Sequence, residues 1–391
     1  MSFELKALKD ICTIQIGKTP SRHENDFWRD GTHAWLSIAD MNQGRYLTTT
    51  KECITDLGVR ASNIKLIPKN TLVLSYKLSI GKVGITQKPM YTNEAIASLT
   101  ELDSQIDINY LYWALQHIDL LENADRAAMG KTLNKAKLSE VKIPLPPLTE
   151  QRRIASILDK ADELRQKRQQ AIEKLDQLLQ AEFISKFHQK NFPEFNVSDL
   201  LENEKSMRTG PFGSQLLHSE FVDEGIHVLG IDNAVQNSFN WAKPRFITEE
   251  KYKDLKRYTV KPRDVIITIM GTCGKCAVVP EDIPTAINTK HLCCITLDQR
   301  KCNPEFLHSY FLLHPTARNY LESRAKGAIM SGLNMGIIKE LPVELPPIEM
   351  QNDFSKLKQK VILQKTLMIE ELSKLNELFQ SLQNQAFSGT L

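Results

Sequence analysis

The chain has 391 residues, 41% of them apolar, and a formal net charge of +3. That length and apolar content suffice for two domain-sized cores and exclude a disordered chain. No apolar run approaches the roughly 20 residues of a membrane helix, the start Met1-Ser2-Phe3-Glu4-Leu5-Lys6 lacks a signal-peptide core, and seven cysteines in such a chain read as reduced thiols, so a cytoplasmic protein without membrane contact is expected.

The first block alternates short β-type runs with turn residues, at 11–16, 35–38, 71–75 and 95–99. A helix over 109 to about 122 follows, with Leu111, Leu115, Ile118 and Leu121 at helical spacing, and then a Gly-containing loop over 126–134. The block closes on Pro144, Pro146 and Pro147. Pro-Pro cannot continue a helix backward, so the junction predicts a helix start with Thr149 as N-cap. From Arg152 to Lys190 there is neither Pro nor Gly, and the apolar period becomes 3.5: Ile154, Leu158, Ala161, Leu164, Ile172, Leu175, Leu178 and Leu179, interrupted by the polar residues 165–170.

The order then repeats. Residues 228–231 stand where 35–38 stood, and 264–269 where 70–75 stood; Gly274-Lys275 matches Gly81-Lys82. Phe306-Leu307, within a helix over 304 to about 321, matches Tyr110-Leu111, and Leu333-Asn334 matches Leu133-Asn134. A second Pro-Pro junction, Pro346-Pro347, opens a helix whose stripe is Phe354, Leu357, Val361, Gln364, Met368, Glu371, Leu375, Leu378 and Leu382. A unit written twice implies a task performed twice. The predicted class is α+β: two β-rich mixed α/β domains in tandem pseudo-repeat, each followed by a long α-helix, the two helices pairing as an antiparallel coiled coil. A helix of about 38 residues is roughly 57 Å long and cannot bury its stripe alone. Antiparallel pairing within the chain covers both stripes and would put the domains at opposite ends of the rod.

These features resemble the specificity subunit of type I restriction-modification systems over the whole chain. Ile16-Gly17-Lys18-Thr19-Pro20-Ser21, with Trp28 and Trp35-Leu36-Ser37-Ile38-Ala39-Asp40, resembles the opening of that family's first target-recognition domain; Thr209-Gly210-Pro211-Phe212-Gly213-Ser214-Gln215-Leu216 resembles the opening of its second. Pro146-Pro147-Leu148-Thr149-Glu150-Gln151-Arg152-Arg153-Ile154 is similar to the central helix start, and Ala386-Phe387-Ser388-Gly389-Thr390-Leu391 to the usual chain end. The resemblance implies recognition domains at 1–146 and 191–345 and helical spacers at 147–190 and 346–391. It implies a non-catalytic reader of double-stranded DNA, each domain reading half of a bipartite, asymmetric site while the helices set the gap. Two methyltransferase subunits and restriction/translocase subunits are the implied partners, and S-adenosylmethionine, ATP and Mg are expected on those partners only. Glu349-Met350-Gln351-Asn352 departs from Thr149-Glu150-Gln151-Arg152, so the two helical surfaces are expected to hold partners differently. The rival reading is a coiled-coil interaction scaffold without sequence-specific DNA binding.

With so mild a net charge, DNA contact would need local patches or partner subunits. The candidates are Lys18, Thr19, Ser21 and Arg22; the run Lys251, Lys253, Lys256 and Arg257, continued by Lys261 and Arg263; the Gly-Lys turns at Lys82 and Lys275; Ser75, Tyr76 and Lys77; Arg208 and Gln215; and Lys131, Arg324, Lys326 and Asn334 before the junctions. Solvated faces and ordinary turns are the competing accounts. Ile154, Leu158, Ala161, Leu164, Ile172, Leu175, Leu179, Leu357, Val361, Met368, Leu375 and Leu382 are the candidate helix-pairing residues. Gly17-Lys18-Thr19 and Gly130-Lys131-Thr132 fail the phosphate-loop pattern, which needs glycine where the chain has Cys12 and Asp125. Cys273, Cys276, Cys293 and Cys294 suggest zinc only until the repeat is compared: the matching Ile80, Val83, Ala97 and Ser98 are core fillers, and adjacent Cys293 and Cys294 on a strand point to opposite faces. No residue is assigned a catalytic or metal-binding role. The tetrapeptide of adenine methyltransferases and a Gly-rich S-adenosylmethionine loop are both missing from the sequence, which disfavours an autonomous enzyme.

Overall fold

The stretch before each long helix is a strand, because proline holds its predecessor extended and withholds the N–H a helix would use. The computed structural model describes residues 3–77, 79–120, 125–127, 130–241, 243–325 and 332–391, the backbone alone at 125–127 and 130–132. The chain divides into two units, Met1–Gln169 with Glu370–Leu391, and Gln170–Ile369. Each of the two helical segments therefore has residues in both units.

In the first unit, β1 (Glu4–Ala7) leads into a short helix α1 (Leu8–Ile11), then β2 (Thr13–Ile16), β3 (His33–Leu36), β4 (Tyr46–Leu47), β5 (Glu52–Ile54), α2 (Asp56–Ser62), β6 (Leu72–Ser75), β7 (Val83–Thr86), β8 (Tyr91–Thr92) and β9 (Ile96–Thr100). There follow α3 (Ile108–His117), β10 (Asp125–Ala127), β11 (Gly130–Thr132), α4 (Lys135–Ser139), β12 (Lys142–Leu145) and the first part of α5 (Leu148–Phe187). One sheet runs β2-β9-β6-β7-β4, a second β5-β3-β8, and β1 pairs antiparallel with β12. Several expectations shift. Residues 11 and 12 leave the first strand because Leu8 and Ile11, three apart, both reach the core from α1. The run 35–38 ends at Leu36, where the Ser37 N–H donates to the Asp40 carboxylate at 2.9 Å and turns the chain. The helix expected to reach 122 stops at His117, with Leu121 and Glu122 outside the described residues, and the expected loop contains the β10–β11 hairpin.

The second unit repeats the plan with β13 (Glu194–Asn196), β14 (Met207–Thr209), β15 (Ile226–Leu229), β16 (Phe246–Ile247), α6 (Glu249–Leu255), β17 (Val265–Thr268), β18 (Cys276–Val278), β19 (Ala286–Asn288), β20 (Leu292–Ile295), α7 (Pro304–Leu313), α8 (Pro315–Ala325), α9 (Met335–Lys339), β21 (Pro342–Glu344) and α10 (Ile348–Ser388). Its sheets run β14-β20-β17-β18 and β16-β15-β19, and β13 pairs with β21 as β1 does with β12. The single helix expected over 304–321 is two. Pro315 removes a donor and holds His314 extended, at ψ 127°, so α7 ends and α8 begins.

Within the first unit, α5 runs antiparallel to the end of α10: Arg153 meets Leu391, Arg165 meets Asn376 and Arg168 meets Glu371. Within the second, Asp176 meets Lys365, and Phe183 and Phe187 meet Phe354. Ile154, Leu158 and Phe379 lie in the first unit's core; Ile172 and Val361 are also buried. Leu164 is a correction: it is 51% exposed, as are Leu178 and Leu378 to a similar extent, because a period of 3.5 does not distinguish the packed side of a helix that is apolar on more than one. Thr149 is a second correction. The Pro147 carbonyl accepts from Glu150 N–H at 2.8 Å and Gln151 N–H at 3.0 Å, so the helix starts before Thr149. Among the described residues no helix is long and apolar enough to cross a membrane.

Candidate nucleic-acid interface

A common frame holds the loops of both units. Gly17 and Gly210 are pressed against backbone: a Cβ would lie 2.2 Å from Asn93 O in the first unit and 1.9 Å from Asn288 O in the second. Only glycine allows that approach, which fixes the loop after β2 and after β14 across the end of β8 and β19. The Ser37–Asp40 turn has its counterpart where the Gly230 N–H donates to Asn233 Oδ1 at 2.9 Å. The Gly-Lys turns match as well. Gly81 and Gly274 take φ values of 94° and 80°, the Lys82 N–H donates to Ser75 Oγ at 2.9 Å, and the Lys275 N–H donates to Thr268 Oγ1 at 2.9 Å.

That frame decides which candidate residues reach a ligand. Ser75 is buried as the staple of its turn, and Tyr76 is buried with its hydroxyl donating to Glu94 O at 2.9 Å; neither is available to DNA. Arg208 is a further correction: its side chain is 13% exposed and committed to Asp264 at 2.7 Å and Thr259 O. Asn334 caps α9 by accepting from the Ile337 N–H at 2.9 Å, as Asn134 caps α4. Lys131 and Lys326 fall outside the described side chains.

The remaining candidates lie at the surface with partners of their own. Lys18 donates to Asn63 O at 3.2 Å, Thr19 to the Glu94 carboxylate, Lys82 to Asn42 Oδ1 at 2.6 Å, and Ser21 is exposed. Arg22 forks onto Glu52 at 2.5 and 3.0 Å with its guanidinium 3.7 Å from the Trp28 ring centre. Lys77 and Arg324 sit 5.4 and 5.3 Å over Tyr76 and Tyr320, Lys275 is half-buried, and Gln215 accepts from the Tyr258 hydroxyl at 2.8 Å. The basic run is interrupted by carboxylates from elsewhere in the chain: Lys251 pairs with Glu220 at 2.6 Å and Lys261 with Glu202 at 2.7 Å. Glu220 titrates below the usual carboxylate range because it accepts from the Leu217 N–H and faces Lys251. Lys253, Lys256 and Arg257 remain exposed.

The cysteines serve the core. Cys276 and Cys293 join one apolar cluster and Cys294 another, on the opposite face of β20, and burial pushes the Cys276 and Cys293 thiols up to about 12. His33 Nε2 donates to the Asp56 carboxylate at 2.7 Å, and His227 packs on Phe246.

Two features escaped the sequence reading. Gln151 and Gln351, 1% and 0% exposed, each bind three backbone groups. The Gln151 amide donates to Gln105 O and Pro146 O and accepts from the Asp107 N–H; the Gln351 amide donates to Lys301 O and Pro346 O and accepts from the Asn303 N–H. Asp107 and Asn303 cap α3 and α7, so one buried amide fastens each long helix to its own unit. The second feature is a cleft of about 1080 Å³ in the second unit, lined among others by Pro211, Ile231, Lys243, Arg245 and Lys290. Its residues are scattered in sequence and form no basic run.

Two homologous α/β units, sharing a frame but not its lining and each secured to a long helix of an antiparallel pair, define a tandem recognition protein. A family model described as type I restriction modification DNA specificity domain matches residues 2–174 and again 193–379, and the chain belongs to that family. Among curated relatives, the type I restriction enzyme MjaIX specificity subunit of Methanocaldococcus jannaschii is 26% identical over 91% of this chain and 86% of its own. The EcoR124I/EcoR124II specificity subunit of Escherichia coli is 33% identical over 41% of each chain. The fold matches a chain from a structure of the type I R-M system with a TM-score of 0.62 at 15% identity, covering 100% of this chain and 98% of that one. It also matches the type I restriction-modification S subunit from M. genitalium with a TM-score of 0.57 at 16% identity, covering 98% and 96%.

Proposed function

We propose that the chain is the DNA-reading subunit of a type I restriction-modification assembly. Each unit reads one half of a bipartite, asymmetric site in double-stranded DNA. The two long helices, each contributing to both units, set the unread gap and carry two methyltransferase subunits, on which restriction/translocase subunits act. The observation that carries this reading is the double match to the specificity-domain family together with a frame kept twice and a lining that differs. Base edges alone carry sequence, so divergent linings on one frame suit two different half-sites. Ile362, Leu363, Leu367 and Ile369, exposed on α10, support a docked protein partner, and the corresponding Asp162, Glu163, Lys167 and Gln169 of α5 support unequal docking of the two copies. Methyl transfer and cleavage belong to the partners, which hold S-adenosylmethionine, ATP and Mg, and the complex works in the cytoplasm.

Co-expression with a type I methyltransferase subunit, followed by mapping of methylated adenines in host DNA, tests the reading. One two-part motif with a fixed gap, present only with this chain, is expected. Methylation that does not depend on the chain would replace this reading with that of an interaction scaffold.

A further inference from the structure

Strand pairing aligns the two units residue by residue at one edge of the cleft. His33 faces Ile54 across β3–β5, and Ile226 faces Ile247 across β15–β16, which places Glu52 and Arg245 at the same position, two residues before the shared isoleucine. The charge there is reversed. In the first unit Glu52 receives the whole end-on fork of Arg22, whose guanidinium is stacked on Trp28. In the second, Arg245 lines an open cleft of about 1080 Å³.

Arg245 is held in one direction. Its Nε donates to Val228 O at 3.4 Å and its Nη2 to Asp232 Oδ1 at 2.5 Å, and the group lies on Gly230, where a Cβ would come within 2.5 Å of Nη2. These bonds use the side edge of the guanidinium. Among the described residues Nη1 makes no hydrogen bond, and the side chain is 32% exposed, so the end-on edge is left for a ligand. The partner carboxylate largely cancels the charge. Such a pair contributes little to attracting phosphate, which responds to net charge, but it sets the direction of a fork that matches two adjacent acceptors. Guanine O6 and N7 in the major groove are that pair of acceptors.

We propose that Arg245 is a base-reading residue of the second unit and recognises a guanine through O6 and N7, with Asp232 as its positioning residue and Lys243 and Lys290 on the cleft lining as phosphate contacts. This rests on the DNA-reading function proposed above. The test uses the chain assembled with its methyltransferase subunits. The wild-type motif is mapped first, and binding is then measured on duplexes in which each guanine of the motif is replaced in turn.

Arg245→Ala is expected to abolish the preference at one guanine, a loss of roughly 10- to 100-fold in discrimination, while the other half-site and the gap stay as they were. That retained half-site reports that the variant is folded and assembled. Arg245→Lys, which keeps the charge without the fork, is expected to lose the same preference and stands in should the alanine variant not assemble. Asp232→Asn weakens discrimination at the same base. Lys243→Gln and Lys290→Gln lower affinity evenly on all sequences and flatten its salt dependence. Full discrimination at every guanine in Arg245→Lys, or a uniform loss over both half-sites, overturns the proposal with the DNA-reading function intact. A wild-type complex that yields no motif at all is the separate failure of that function.

Discussion

Gln151 and Gln351 show how one side chain can secure a joint. A buried amide that serves two carbonyls and one N–H cannot be replaced by an apolar group of similar size without leaving those groups unpaired, at about 1–3 kcal/mol for each that water cannot reach. Gln151→Leu and Gln351→Leu are each expected to destabilise the protein by about 2–4 kcal/mol, measured as a lowered urea midpoint; a change under about 0.5 kcal/mol would show the joint to be dispensable. A second residue with a measurable signature is His308, on α7. Its Nδ1 accepts from Lys358 Nζ at 2.7 Å while Nε2 faces Asn237 O and Cys276 O at 3.0 and 3.1 Å, the pattern of a neutral ring protonated on Nε2. Burial, and after it Lys358, pushes the pKa down from 6.5 to about 4. The unfolded chain therefore takes up a proton between these two values that the folded chain refuses. Stability from this group is complete above about pH 6.5 and is lost as pH falls toward 4. Unfolding free energies measured from pH 7 to 4 should show a slope shallower by about one proton in His308→Gln, whose amide can copy the neutral ring's bonds; equal slopes would place the titration elsewhere.

At the level of elements, what the sequence made legible follows from how local each cause is. The Pro-Pro junctions, the six strand runs read from the sequence and the two helices of 40 and 41 residues rest on near neighbours, and they formed close to where they were expected. The break at Pro315 was equally local, yet the apolar spacing of residues 306–321 continued across it and masked the missing N–H. The packed side of α5 depends on what the other helix and the sheets bring, which no single segment carries. Leu158 and Leu164 make the contrast testable, since they are fully buried and 51% exposed respectively. Leu158→Ala is expected to cost about 2–5 kcal/mol and Leu164→Ala to stay within about 0.5 kcal/mol, in the same denaturation assay. Comparable losses would mean that Leu164 is covered in the free chain.

For the whole molecule, duplication was the most informative feature of the sequence, whereas the density of positive charge overstates the free charge that the fold leaves there. Lys251 and Lys261 meet glutamates 31 and 59 residues away, and only folding brings those carboxylates near. Arg245 stands alone between Pro244 and Phe246, and its one sequence signal was the charge reversal against Glu52 across the repeat. The same duplication gives the proposed ruler its test. Seven residues keep a helical stripe within about 20° of its face, so a heptad inserted after Gln169 in α5, with a second after Ile369 in α10, preserves the pairing sides in each unit. Each adds about 10.5 Å of helix, close to three base pairs at about 3.4 Å per step. Methylation mapping is expected to return both half-sites unchanged with the gap lengthened by about three base pairs. A heptad in α5 alone leaves its partner residues without counterparts and should lower assembly with the methyltransferase subunits. Altered half-sites in the double insertion would mean that the helices shape the reading surfaces, and an unchanged gap would mean that the spacing is set by the partners.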